Sequence, residues 1–115
     1  MISADSLPID IESAIDRFDG DRDFVMSIID EFRKDLPVKM KAIHDCLRAR
    51  EVNSLARLAH NLKGVALNIS VGPIAQVALD LEQMVLRDDL ADAAARVAQL
   101  EQEVVRLEEF LSNKE

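Results

Sequence analysis

The stretch VNSLARLAHNLKGVALNI, residues 52–69, decides the fold. At 100° per residue, Leu55, Leu58, Ala59, Leu62, Val65, Ala66 and Ile69 gather in one broad apolar arc. The opposite face carries Asn53, Arg57, His60, Asn61, Gly64 and Asn68. That division specifies an amphipathic helix with its apolar arc on a core. His60 falls at the boundary between the two faces, where one edge of an imidazole packs and the other nitrogen meets solvent. Arg57 and Lys63 stand three residues to either side, on its opposite flanks, and Gly64 leaves the space above the ring open.

Similar patterns lie outward from this helix. Pro8-Ile9-Asp10 introduces a brief helix with Asp10 as its cap and Ile11, Ala14, Ile15 and Phe18 as its stripe, and Asp19-Gly20 stops it. A long helical pattern starts near Asp21 to Asp23 and runs Phe24, Ile28, Phe32, Leu36, Met40, Ile43, Leu47. Pro37 lies inside it, removing one backbone donor and crowding the carbonyl four residues back, so a kink or short break is expected there. After the connection at Arg50-Glu51 and the helix of residues 52–69, Gly72-Pro73 marks a turn, with Pro73 at the first helical position. The next helix follows through Ile74, Val77, Leu81, Met84 and Val85. Asp88-Asp89 caps the last, in which Leu90, Ala93, Val97, Leu100, Val104, Leu107 and Leu111 repeat at 3,4 spacing. The expected fold is all-α: an antiparallel up-down four-helix bundle, with the short N-terminal helix as a lid on one end. One domain covers residues 8–112, with residues 1–7 and 113–115 as flexible termini.

Composition agrees with helices. The 115 residues are 49% hydrophobic but only 3% aromatic, without Trp or Tyr, so the core is aliphatic. Three Gly and three Pro are too few for the turns of an all-β architecture. The net charge of −8 opposes general attraction to nucleic acid or anionic lipid, and neither is expected as a partner. Cys46, the lone cysteine, has no internal disulfide partner and reads as a small core hydrophobe. No Cys/His spacing suggests a metal cluster. No apolar run approaches the roughly 20 residues of a membrane span, and the N-terminus lacks the regions of a signal peptide. The expected location is cytoplasmic. His44, between Ile43 and Asp45, reads as an ordinary surface residue, and Glu101, Glu103, Glu108 and Glu109 as a solvated face. There is no phosphate-cradling glycine loop and no kinase signature.

The chemistry therefore falls on His60. A neutral imidazole nitrogen is a nucleophile, and phosphoryl transfer asks a protein mainly for positioning and charge stabilisation. Lys63 suits the equatorial oxygens of a phosphoryl group, although an exposed charge pair at ~4 Å is worth only about 1 kcal/mol in water. Gly64 costs about 1 kcal/mol against Ala inside a helix, a tolerable loss if a second protein must approach the ring. Each residue also has a plainer reading: a half-buried structural His, a Lys whose stem snorkels along the apolar arc, and a Gly that lets two helices pack closely.

The residues Ala59-His60-Asn61-Leu62-Lys63-Gly64 resemble the signature of the histidine-containing phosphotransfer (HPt) family of bacterial phosphorelays. Ile9-Asp10-Ile11-Glu12 and Phe18-Asp19-Gly20-Asp21 resemble the family's N-terminal portion, and Leu81-Glu82 its fourth helix. The resemblance implies that His60 accepts phosphate from the aspartyl phosphate of one receiver domain and passes it to the aspartate of another. It makes Lys63 the phosphate-side cation, Gly64 the clearance residue, and Glu82 or Gln83 the group that hydrogen-bonds the imidazole's other nitrogen and fixes its tautomer. Ala56, Arg57, Asn61, Leu67 and Asn68 then form the docking face for receiver domains. The implied protein is a monomeric phosphocarrier, not an enzyme, without autokinase activity and without a cofactor, since Mg belongs to the receiver. One departure is Ser70, where many members have glycine. The competing reading is a non-catalytic helical adaptor or dimerisation bundle that uses the 3,4 stripe of the last helix.

Overall fold

In the computed structural model, which describes residues 7–113, the chain is all-helical and the described residues contain no strand. The helices are α1 (Ile11–Arg17), α2 (Arg22–Arg48), α3 (Val52–Asn68), α4 (Gly72–Leu86) and α5 (Leu90–Asn113). Residues 1–6 and 114–115, most of what the sequence assigns to flexible termini, lie outside the described residues. Asn113, expected in the C-terminal tail, is the last residue of α5.

Short polar side chains start three of the helices. Asp10, Asp21 and Asp89 accept hydrogen bonds from the backbone N–H groups of Ser13, Phe24 and Asp92, at 3.1, 3.0 and 3.1 Å. The ends share one device. Asp19, Arg50, Ser70 and Asp88 adopt left-handed φ values of 57°, 58°, 59° and 59°. In each case the following N–H donates back to a carbonyl five residues earlier: Gly20 to Ile15, Glu51 to Cys46, Val71 to Ala66 and Asp89 to Met84. This explains the departure at residue 70 in physical terms. Ser70 occupies the left-handed position that glycine fills without strain, and its hydroxyl donates to Ser13 Oγ at 3.2 Å while its carbonyl accepts from Asp10 N–H at 3.0 Å. Those two bonds fasten the start of α1 to the α3–α4 turn.

Each of α2, α3, α4 and α5 packs on the next, and α5 returns to α2, so the four long helices enclose one aliphatic core. Leu55, Leu62, Leu81 and Leu100 are fully buried in it. Small side chains, Ala59 and Ala66 on α3 and Ala75 and Ala78 on α4, are buried along the most extensive of these contacts. In α5 the residues Ala93, Val97, Leu100, Leu107 and Leu111 are buried, so its 3,4 stripe is spent inside the chain.

Three expectations need correction. Pro37 causes no break: α2 is continuous from Arg22 to Arg48, and Leu36, Met40 and Ile43 keep one buried stripe across the proline. The stripe at the start of α2 is Val25 and Ile29, because Phe24 is exposed and rests edge-on against Phe18 with ring centroids 5.5 Å apart. Pro73 occupies the second helical position, since α4 begins at Gly72.

Candidate functional site

The site is built on the contact between α3 and α4. Ala59 and Leu62 on α3, and Ala78, Leu81 and Val85 on α4, are buried, which fixes the rotation of both helices. His60 follows Ala59 by 100° and comes out on the solvent edge, its side chain 64% exposed. Glu82 follows Leu81 by the same rotation and comes out facing it, its side chain only 17% exposed.

The imidazole Nδ1 lies 3.0 Å from Glu82 Oε2. Lys63 Nζ lies 3.4 Å from Glu82 Oε1 and 3.5 Å from the same Nδ1. A carboxylate only accepts and an ammonium only donates, so the two neighbours ask opposite things of Nδ1. The carboxylate is nearer and its bond is charge-assisted, which assigns the proton to Nδ1 and leaves the ammonium to the carboxylate's other oxygen. Nε2 then keeps its lone pair. No hydrogen bond engages it among the described residues.

Lys63, 23% exposed, lies along the apolar arc as a snorkelling lysine does, with its head directed at Glu82. The structure therefore gives this cation a carboxylate partner that the sequence did not reveal. Gly64 is exposed, and a Cβ built on it meets nothing within 4 Å. Close packing of two helices of this chain is thus not the reason for a glycine there. Arg57, Asn61, Leu67 and Asn68 are all exposed on the same side of α3 as His60, with Leu67 at 48%, while Ala56 is half-buried. Arg57 makes no hydrogen bond to the ring among the described residues. Of the two α4 candidates, Glu82 reaches the imidazole. Gln83 is exposed 100° further round, with no bond to it. Leu86, 67% exposed one turn after Glu82, is a surface apolar residue that the periodicity of α4 did not flag.

His44 offers a contrast within the same molecule. Its Nε2 is 2.8 Å from Glu101 Oε1 across the α2–α5 contact, and the nearby cations Lys41 and Arg48 are both engaged by Asp45. The nitrogen left open at His60 is occupied at His44. Cys46 is half-buried against the core, where desolvation, assisted by the charges of Glu51 and Asp45, pushes its thiol pKa up and makes it a poor nucleophile. Among the described residues no group of three or more His, Cys, Asp or Glu is placed to hold a metal ion, and no helix is long and apolar enough to cross a membrane.

The family model described as Hpt domain matches residues 27–110, a span that includes α3, α4 and most of α2 and α5. Comparison with curated proteins and with solved structures gave no match.

Proposed function

This chain belongs to the Hpt domain family, whose members carry phosphoryl groups on histidine in phosphorelays, and we propose that His60 is its phosphoacceptor, loaded by one receiver domain and unloaded by another. The observation that carries this reading is the polarity of the ring: Nδ1 tied to Glu82, Nε2 open on an exposed edge.

In the loading step the Nε2 lone pair attacks the phosphorus of an aspartyl phosphate. The N–P bond forms as the bond from phosphorus to the aspartyl oxygen breaks, and the receiver's carboxylate leaves with that electron pair. No proton need move, because Nδ1–H remains bonded to Glu82 throughout, and the carboxylate offsets the positive charge that the ring gains. Unloading is the same step reversed onto a second aspartate. Glu82 is thus a positioning residue. Lys63 is the cation within reach of the group being transferred, and Gly64 is the clearance that admits the partner. Ala56, Arg57, Asn61, Leu67 and Asn68 form the docking face. The three-residue connections between the long helices support the finer architecture of an up-down antiparallel four-helix bundle, residues 8–112, acting as a cytoplasmic monomer. The reading includes no autokinase activity and no cofactor, the divalent cation being the receiver's. The adaptor reading lacks its surface, because the apolar stripe of α5 is buried within the chain.

The test is incubation with a phosphorylated receiver domain. The protein should acquire acid-labile, alkali-stable phosphate, which His60→Gln abolishes and His44→Gln leaves in place. Label that survives His60→Gln in a folded variant refutes the assignment.

A further inference from the structure

Acidic residues are spread along this chain with one gap. Residues 52–79 contain no Asp or Glu, whereas an even spread of the chain's 22 acids would put about five there. The same stretch holds Arg57 and Lys63 and is net +2, so the rest of the chain carries −10, all of it in residues 1–21 and 80–115, since residues 22–51 are net +1. The gap coincides with α3, the α3–α4 turn and the first half of α4.

In three dimensions the gap is a surface. On the exposed side of α3 the polar positions around His60 are the uncharged Asn53, Asn61 and Asn68 and the cationic Arg57. The acids bordering it are restrained. Glu82 is largely buried and faces Lys63, and Asp80 is half-buried and accepts a bond from Gln76 at 3.1 Å, which leaves Glu51 exposed at the N-terminal end. Other helices expose further acids, among them Asp23 and Asp35 on α2 and Asp92 and Glu109 on α5.

Asn has the shape of Asp; the helix dipole favours Asp at Asn53 in the first turn of α3, and neither is preferred at Asn61 in its interior, so fold stability selects Asn over Asp only at Asn68, in the last turn. A partner bearing negative charge selects it at all three. We infer that the protein face docking on α3 is anionic, and that the acid-free window orients it away from the acidic parts of the surface: approach over α1 or α5 meets repulsion, and approach over α3 does not. The inference rests on the phosphocarrier reading, in which the arriving group is itself a phosphoryl anion, and it adds the charge of the surrounding partner surface. Complementarity of this kind acts mainly on association rate and on the choice of partner.

The test uses substitutions that change charge and not shape. Asn61→Asp and Asn68→Asp are compared with Gln102→Glu on the exposed side of α5, a matched added charge outside the window. Receiver domains encoded in the same genome, each phosphorylated with a small acyl phosphate, serve one at a time as donors, and the second-order labelling rate is read at about 10 mM and about 1 M salt, where the Debye length is roughly 30 and 3 Å. An added charge about 8 Å from two carboxylates of the partner face should slow labelling about fivefold at low salt, as bare Coulomb repulsion in water gives, and Asn68→Asp, eight residues along the helix from His60, reads that face apart from the phosphoryl group. The deficit should close at high salt, and Gln102→Glu should stay within about twofold of the native rate. Native rates for the two Asp variants at low salt, a deficit that persists at high salt, or an equal deficit in Gln102→Glu would each overturn the proposal. Failure of every receiver to label the native protein is a different result, which rejects the phosphocarrier reading and this proposal with it.

Discussion

Gly64→Ala should make this protein more stable and less active. Gly64 lies in the interior of α3 with helical backbone, and a Cβ added there has no neighbour within 4 Å. The substitution creates no clash and removes the conformational penalty of a mid-helix glycine, about 1 kcal/mol. With an unfolding entropy near 2.1 cal/mol/K per residue, that corresponds to a rise in Tm of about 4 °C for a chain of this length. The same methyl occupies the room beside His60 that a docking partner needs. Inserting a methyl into a closely packed contact costs about 1–3 kcal/mol, so phosphoryl transfer from a receiver should slow by roughly 5-fold to 150-fold. Thermal unfolding followed by circular dichroism gives the first quantity, and the rate of radiolabel uptake gives the second. A destabilised Gly64→Ala protein refutes the account of the helix. A stabilised one that transfers at the native rate refutes clearance as the purpose of the glycine.

Glu82→Ala should slow labelling of His60 by about tenfold, because a hydrogen bond to a charged group contributes about 1.5–3 kcal/mol and water recovers part of it at an exposed ring. Glu82→Gln, which keeps an acceptor oxygen, should lose less, and a native rate in Glu82→Ala with an unchanged Nδ1–H tautomer by nitrogen NMR would count against the positioning role. Leu62→Ala, at a fully buried position directly under the site, should cost about 2–5 kcal/mol in denaturant unfolding, and a loss below about 1 kcal/mol would contradict the packing described. Arg33 donates two hydrogen bonds to Glu108, at 2.6 and 3.0 Å, and these hold the Glu108 carboxyl below its ordinary pKa. A carboxylate depressed in the folded state stabilises the fold above its unfolded pKa and loses that contribution as pH falls through the folded value. Arg33→Ala should therefore be less stable than the native protein by up to about 1 kcal/mol near neutrality, with the gap closing below about pH 4, and a gap constant down to pH 3 would be inconsistent with the pair.

The helices were legible in the sequence because their caps and periodicity agree, and the exceptions have local causes. Phe24 and Ile28 enter the stripe of α2 when it is counted back from Phe32 in fours, yet counting back by three and then four reaches Ile29 and Val25, which are the buried pair. Pro37 suggested a kink or short break because it removes one donor and crowds the carbonyl four residues back, but the apolar stripe that runs through Leu36, Met40 and Ile43 holds a single continuous helix. At the site, His60 could be placed on a boundary from α3 by itself. The choice between Glu82 and Gln83 could not, since neighbouring residues differ by 100° and only the packing of Ala78, Leu81 and Val85 against α3 sets which one faces the ring. Gly64 was ambiguous for a similar reason: a glycine that admits a helix of the same chain and one that admits another protein are identical in sequence. The empty space around its missing Cβ excludes the first of these.

The position of Lys63 joins these observations. As the cation for a transferred phosphoryl group it would be expected near Nε2, yet it rests on the Nδ1 side, 3.4 Å from Glu82. While the Nε2 lone pair is free to attack, the largely buried carboxylate needs a counter-charge, since a partly desolvated anion facing an incoming phosphoryl group would oppose it. After transfer the ring itself is positive at Nδ1–H and satisfies Glu82, while the new negative charge lies on the phosphoryl oxygens. The ammonium is then worth more at those oxygens than at the carboxylate. A contact of 3.4 Å is a weak bond to give up, and a four-carbon stem spans the change without moving the helix. In the proposed transfer, one lysine serves the two charge states of the site in turn.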